Sequence, residues 1–311
     1  MKNLKINGSK KYKELKYFFI LGAAKCGTTS LYYYINQHSK ILMSTPKETL
    51  FFEKDFVTNI DWYVEKYFKN LKNEKFLGEA RQRNLYLPYV PQRIAAMFPD
   101  AKLIISVRNP IERAYSHYLH RKNHNFEHLS FEDAIEADLN EIRKGRFIRT
   151  ENEIKGYLDQ LAPDGASKKY RTYIDCGYYA EQIERYLNYY DRNQLKIVFL
   201  EDIRKNVKTV YCELLRFLDQ NLEYEEIDFF IQNKRRSKMA ISLSNLIQND
   251  SMIKKRMPKK IKHIVYAFFD YFFKPKTKMN PEIRKMLIEH YWEHNRKLEK
   301  ITGRDLSHWD Q

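Results

Sequence analysis

Between Gly22 and Ser30 the chain reads G-A-A-K-C-G-T-T-S, two glycines enclosing a lysine and followed by three hydroxyls. Glycine lets a backbone turn tightly enough for several N–H groups to converge on one point. The lysine adds a mobile positive charge, and the hydroxyls add neutral donors. An apolar run, Tyr17 to Leu21, precedes the loop and suits one buried strand, while Leu31 to Ile35 can carry a helix on to about Gln37. A strand, a glycine-bounded loop and a helix start form a cradle for a phosphate-like anion, because free N–H groups and the positive end of the helix dipole face the ligand together.

The spacing is close to the phosphate-loop pattern G-x-x-x-x-G-K-[ST]. Thr28 stands where that pattern has its lysine, and the lysine lies inside the loop as Lys25. This arrangement resembles the 5′-phosphosulfate loop of the sulfotransferases that use 3′-phosphoadenosine-5′-phosphosulfate (PAPS). The resemblance implies that Lys25, Cys26, Gly27, Thr28, Thr29 and Ser30 bind the nucleotide, with Lys25 also offsetting charge as the sulfate leaves. Taken alone, the loop also reads as an ordinary strand-to-helix turn.

A second constellation is Ser106-Val107-Arg108-Asn109-Pro110-Ile111-Glu112-Arg113-Ala114-Tyr115-Ser116. Arg108 closes a β-branched strand, where open α/β sheets bind ligands, and Ser116 lies eight positions on in a helix. A guanidinium and a hydroxyl suit a terminal phosphate. The segment R-N-P-x-x-R-A-x-S resembles the 3′-phosphate site of the same sulfotransferases; the plainer reading is an Arg108–Glu112 ion pair. A third, Pro46-Lys47-Glu48-Thr49-Leu50-Phe51-Phe52, resembles the K-E-x-x-F-F segment of the heparan-sulfate-type branch, where the glutamate is the proposed base. In sulfuryl transfer the acceptor loses a proton as it attacks, and a carboxylate within reach can take it; the cytosolic aryl-type branch uses histidine instead, and no His occupies this segment. Burial by the two phenylalanines would raise the pKa of Glu48. Lys47 is then expected to point to acceptor or solvent; the plainer reading is a solvated loop carboxylate, for which Lys47 makes an ion pair possible.

Other segments extend the resemblance along nearly the whole chain. Gly78-Glu79 matches a family segment G-E-x-[ST]-P-x-Y, but Arg81 and Arg83 follow where relatives carry Ser/Thr-Pro. The two cations suit an anionic acceptor or a solvated loop. Arg171 to Tyr179 resembles Y-I-D-x-G-x-Y-A, and Gly303 to Trp309 resembles G-R-D-L-S-x-W, both with buried aromatics as the simplest role. The basic run Asn233 to Lys238 falls where relatives place a late nucleotide contact, so Arg236 is the residue expected there.

Three features point to less. His117, His120 and His124 share a helix face, but no Cys, Asp or Glu completes a metal set, and no metal is expected. Cys26, beside Lys25 at a helix start, suggests a lowered pKa, yet lacks a resolving partner and reads as a loop filler. The aromatic stretch Val265 to Phe273 could touch a membrane peripherally, though a core helix is commoner.

The elements that must position these groups alternate. Strands are expected at Ile41–Met43, Phe76–Ala80, Lys102–Val107 and Leu195–Leu200, and helices at Asp61–Phe68 (capped by Asp61), Pro91–Phe98, Pro110–Lys122, Ser130–Lys144, Tyr178–Tyr190, Val207–Leu218 and Pro281–Thr302. Alternation predicts an α/β, P-loop-like three-layer fold with a central parallel sheet and helices on both faces. The 311 residues are expected to form a single sulfotransferase domain, 1–311, with a basic extension over 1–16 and a helical insertion or lid near 240–278.

Composition bounds the rest. The chain is 43% hydrophobic and 31% charged, as soluble globular proteins are. No apolar run reaches about 18 residues, and the N-terminus lacks a secretory signal pattern. Lumenal members of the family that the chain resembles usually carry an anchor helix, so the resemblance implies a cytoplasmic, bacterial or viral protein. Three scattered cysteines give neither a disulfide framework nor a zinc site. The formal charge of +16 attracts polyanions without choosing among them, and no nucleic-acid-binding motif accompanies it. The resemblance implies transfer of sulfate from PAPS, leaving PAP, to a hydroxyl or amine of a carbohydrate or glycolipid. A nucleotide kinase or NTPase, which wants a lysine after Gly27, and a non-catalytic polyanion-binding module are the rival readings.

Overall fold

The computed structural model of the chain describes residues 7–145, 171–229 and 279–311, together with 153 and 156. Its strands are β1 (Lys16–Gly22), β2 (Ile41–Met43), β3 (Phe76–Ala80), β4 (Lys102–Val107) and β5 (Leu195–Phe199). They form one sheet in the order β2-β3-β1-β4-β5, and every neighbouring pair is parallel. Ile20 lies level with both Ala80 and Ile104, so β1 is paired on both edges. The chain departs from β1 to one side through β2 and β3, then to the other through β4 and β5. That reversal is a topological switch point, and the crevice above the strand ends is where such sheets take ligands.

After the exposed Lys16, β1 is buried and apolar from Tyr17 to Leu21 because both its faces are covered. Tyr17, Phe19 and Leu21 enter one core with Phe51, Phe52, Tyr63, Leu103 and Ile105. Phe18 and Ile20 enter the opposite core with Leu31, Ile35, Ile104 and Leu214. Parallel pairing forces crossovers, which the helices supply. In chain order they are α1 (Lys10–Lys13), α2 (Thr28–Ile35), α3 (Ile60–Tyr67), α4 (Arg83–Tyr86), α5 (Val90–Met97), α6 (Pro110–Asn123), α7 (Phe131–Arg143), α8 (Tyr179–Leu187), α9 (Leu200–Lys205), α10 (Val207–Leu218) and α11 (Pro281–Thr302). The expected strands and helices are therefore present to within a few residues.

Two local expectations change. The cap of α3 is Asn59, whose side chain accepts from the Trp62 N–H at 3.0 Å. Asp61 is engaged elsewhere: the backbone N–H and hydroxyl of Ser9 donate to it at 2.8 Å and 3.0 Å. The basic run with Arg236 and the insertion near 240–278 lie outside the described residues. The G-R-D-L-S-x-W tail packs as expected. Trp309 is buried, Arg304 lies 4.1 Å over the Phe199 ring and pairs with Asp202, and Asp310 takes Asn295 and Arg296 of α11.

Candidate functional site

The loop after β1 closes over the sheet's switch point. Gly27 is the residue before α2 and holds φ at 88°, a left-handed conformation that glycine adopts without steric cost. A Cβ there would meet Leu200 Cδ1 at 2.8 Å, and one on Gly22 would meet the Gln82 carbonyl at 2.8 Å. The ends of the loop are tied to β4: the Ala23 N–H donates to the Ser106 carbonyl at 2.6 Å, and the Ser106 hydroxyl donates to the Cys26 carbonyl at 2.5 Å. Thr28, Thr29 and Ser30 form the first turn of α2, whose N–H groups have no intrahelical acceptor. Thr28 is buried, while Lys25, Gly27, Thr29 and Ser30 are partly open.

Cys26 faces inward. It is fully buried, its Sγ lies 3.8 Å from the Tyr179 hydroxyl, and burial pushes its thiol up to about 11. The lowering suggested by Lys25 and the helix start is overridden, and Cys26 is a loop filler.

Arg108 leaves the end of β4 next to the loop, and its Nη1 donates to the Lys25 carbonyl at 3.4 Å. Its partner Glu112 stands 3.6 Å away but is shared with Arg284, which holds the same carboxylate at 2.9 Å. The Nε of Arg108 is buried and has no hydrogen-bond partner among the described residues. Arg108 is therefore a largely buried cation with spare donor capacity. Ser116 follows Glu112 by one turn of α6, which puts them on one face. The first turn of α6 is fixed by Asn109: its Oδ1 accepts from the Ile111 N–H at 2.9 Å, and its Nδ2 donates to the Trp309 carbonyl at 3.2 Å. His117 is held neutral, first by burial and then by Arg113, Arg121, His120 and Lys25. Among the described residues no group of three metal-ligating side chains occurs.

Glu48 lies on the segment after β2 and is clamped by two cations. Its Oε1 accepts from Lys47 Nζ at 2.9 Å, and its Oε2 accepts from Arg81 Nη1. Arg81, at the end of β3, is buried and extends its other two nitrogens to Glu53, with Nη2 at 3.0 Å from Oε2. Glu53 is fully buried, so this fork is rigid. Phe51 and Phe52 are fully buried beneath the segment, as expected. Lys47, in contrast, turns inward toward Glu48 and the Ala80 carbonyl at 3.4 Å, because partly buried carboxylate and carbonyl oxygens there need a donor. Burial alone would raise the carboxyl of Glu48, but Arg81 and Lys47 outweigh it and hold it below the usual range. The expected raised base is instead a stabilised carboxylate. Glu79, the other carboxylate nearby, is fully enclosed by Tyr63 and Asn84 at 2.7 Å and 3.1 Å, and burial pushes it up.

The Arg81–Glu53 fork that fixes Glu48 is the part of the site that residue-by-residue reading missed: Arg81 was read as a cation for an anionic acceptor or a solvated loop, and Glu53 was not singled out. The fork joins positions 28 residues apart on different elements. Only the run of charges at 47, 48, 53, 81 and 83 signals it. The two arginines also differ: Arg81 is consumed by carboxylates, whereas burial first, then the charge of Arg81, pushes the Arg83 guanidinium below its ordinary range.

Comparison with known proteins gives a consistent picture. The family model for the sulfotransferase domain matches residues 15–302. A membrane-associated sulfotransferase, kil1, of Dictyostelium discoideum is 26% identical over 93% of this chain and 65% of its own length. The mouse bifunctional heparan sulfate N-deacetylase/N-sulfotransferase 4 is 30% identical over 67% of this chain. The matched region spans 22% of that longer enzyme. The crystal structure of a sulfotransferase from Alicyclobacillus acidocaldarius superposes with a TM-score of 0.67 at 25% identity, covering 95% of this chain and 99% of the other.

Proposed function

The chain belongs to the sulfotransferase family, and from that premise we propose that it moves a sulfuryl group from PAPS to a hydroxyl or amine of a carbohydrate. The observation that carries the nucleotide half is Arg108, a buried guanidinium with an unused donor beside the glycine loop. A 3′-phosphate, which PAPS has and ATP lacks, would take that donor together with Ser116. Bound PAPS supplies the sulfuryl group. The chain's own residues do the rest. The α2 first-turn N–H groups and the hydroxyls of Thr28, Thr29 and Ser30 hold the 5′ end. Lys25 brings a positive charge to the oxygen that separates from sulfur, where its worth grows as the bond breaks. Arg108 and Ser116 fix the far end, and this positioning aligns the group for in-line transfer.

Glu48 receives the acceptor's proton. Its two oxygens are each engaged once, so lone pairs remain for that proton. A carboxylate held below its usual range is a weak base. It suits a proton that becomes acidic only as the acceptor's new bond to sulfur forms. The carbohydrate half of the reading rests on relatives whose names specify heparan sulfate. A cytoplasmic location and a single catalytic domain belong to the same proposal, and cell fractionation tests the first. No helix among the described residues is long and apolar enough to cross a membrane.

The kinase alternative has Thr28 where it needs lysine. Calorimetry with PAP and with ATP, each with and without magnesium, separates the two. Preference for PAP without magnesium is expected, and equal affinity or a magnesium requirement overturns the reading. Labelled PAPS offered to hydroxyl- and amine-bearing oligosaccharides then identifies the acceptor by mass spectrometry.

A further inference from the structure

Two arginines share the carboxylate of Glu112, in the first turn of α6. Arg284 Nη1 donates to its Oε1 at 2.9 Å, a hydrogen-bonded ion pair. Arg108 Nη2 stands 3.6 Å from its Oε2, beyond hydrogen-bond distance. Arg108 is the nearer of the two in sequence, yet Arg284, 172 positions away, holds the carboxylate more closely. Packing explains the outcome. Leu287 and Tyr291 of α11 share one core with Ile111, Ala114 and Tyr115 of α6, which fixes the two helices together. Arg284 lies in the first turn of α11, where the Asn280 side chain accepts from the Glu282 N–H at 2.9 Å, and its Nη2 donates to the Gln311 carbonyl at 3.3 Å.

This sharing bears on the nucleotide arm. Arg108 is buried, and its Nε has no hydrogen-bond partner among the described residues. A carboxylate that closed on Arg108 would take the Nη2 donor that a phosphate needs. Left without a cation of its own, it would also repel that phosphate across a short distance. Arg284 opposes both effects, because it draws Oε1 toward α11 and balances the charge. The other acid at this corner, Glu201 of α9, accepts from the Asn109 N–H at 3.2 Å and forms no ion pair with Arg108.

We infer that Arg284 is a positioning residue for the nucleotide site: by holding Glu112 it keeps the donors of Arg108 available to a 3′-phosphate and offsets the carboxylate beside it. The inference rests on the nucleotide reading above. It gives Arg284 no contact with the ligand. The Arg284–Glu112 pair acts through Arg108, so its effect is specific to a nucleotide that carries the 3′-phosphate.

The test is a double-mutant cycle over Arg284→Met and Glu112→Gln, read by calorimetry with PAP and with adenosine 5′-monophosphate, which lacks the 3′-phosphate. The Arg284 side chain is 35% exposed, and methionine keeps much of its length without the charge. Arg284→Met is expected to bind PAP about tenfold more weakly, the scale of one unbalanced unit charge about a nanometre from the phosphate at an effective dielectric of about 20. The monophosphate is expected to be nearly unaffected. With Glu112→Gln also present, the loss of PAP affinity disappears, because no carboxylate is left to restrain. If Arg284→Met weakens both nucleotides equally, its role is merely structural. If it weakens PAP as much with Glu112→Gln as without, Arg284 meets the phosphate itself. Either result overturns the inference, as does an unchanged PAP affinity. If Arg284→Met does not fold, Arg284→Lys decides: it keeps the charge, so PAP affinity near that of the unaltered chain is expected, and a loss of about tenfold overturns the inference. Should the unaltered chain bind PAP no better than the monophosphate, the nucleotide reading fails and takes this inference with it. A preference for PAP that survives Arg284→Met sinks the inference alone.

Discussion

Arg81→Met removes the guanidinium that joins Glu48 to Glu53 while keeping a long side chain in place. Glu53 is fully buried and loses both its bonds. Stranding one partner of a buried ion pair costs about 3–5 kcal/mol. At roughly 2.1 cal/mol/K of unfolding entropy per residue over 311 residues, this is a fall in melting temperature of about 5–8 °C. Neutralising the stranded acid as well, in Arg81→Met with Glu53→Gln, restores most of that loss because the two sites share one interaction. Turnover behaves differently. Glu48 loses its fixed partner in both variants, and a displaced catalytic group costs about a hundredfold, so the double variant is stable and slow. The acid limb of stability changes too. Because the folded-state pKa of Glu48 lies below its unfolded value, its ion pairs stabilise above the usual carboxylate range, and that contribution disappears as pH falls through the depressed pKa. With Arg81 gone the depression shrinks and the loss on acidification becomes shallower. Thermal melts from neutral to acidic pH and single-turnover assays with labelled PAPS measure both effects. A variant that melts within a degree of the unaltered protein, or a double variant with normal turnover, refutes the assigned role of the fork.

Glu48→Gln keeps the shape but cannot take the proton, so turnover should fall about 10²- to 10⁴-fold with PAP affinity unchanged; retention of more than a tenth of the rate would remove Glu48 as the base. Lys25→Ala should depress turnover more than nucleotide binding, whereas Arg108→Ala should mainly weaken binding, and steady-state kinetics beside PAP titrations will show whether the two separate. Gly27→Ala forces a Cβ toward Leu200 at a φ of 88° and should cost about 1–3 kcal/mol with a loss of PAP affinity; an unchanged melt and titration would mean the loop tolerates side chains.

The parts legible in the sequence were those whose information is local. The glycine spacing at 22 and 27, the β-branched run from Lys102 to Val107 and the Pro281–Thr302 helix each state their conformation within a few residues. The site's electrostatics were less legible because they depend on which distant groups meet. Lys47 was expected to face outward if Glu48 were a buried base, with an ion pair to its neighbour Glu48 as the plainer reading; that the Ala80 carbonyl, 33 residues on, meets it at the same spot has no local signal. Asn59 and Asp61 are both good helix caps, and the choice was made by Ser9, more than fifty residues away, which occupies Asp61. For Cys26 the neighbouring lysine and helix start suggested a lowered pKa while the absence of a resolving partner favoured a loop filler; complete burial, which pushes the thiol up, bears out the loop filler.

The bond from Asn109 to the Trp309 carbonyl spans 200 residues of sequence. Asn109 sets the first turn of α6 and follows Arg108, so the arm proposed for the 3′-phosphate takes its final orientation only when the tail has wrapped back onto it. During synthesis the loop, β3 and β4 can assemble long before residue 309 has been added. A nascent chain therefore passes through a stage with a formed phosphate loop and an unfinished nucleotide arm, and contacts of such long sequence separation form late. Nucleotide selectivity would be the last property the growing chain acquires.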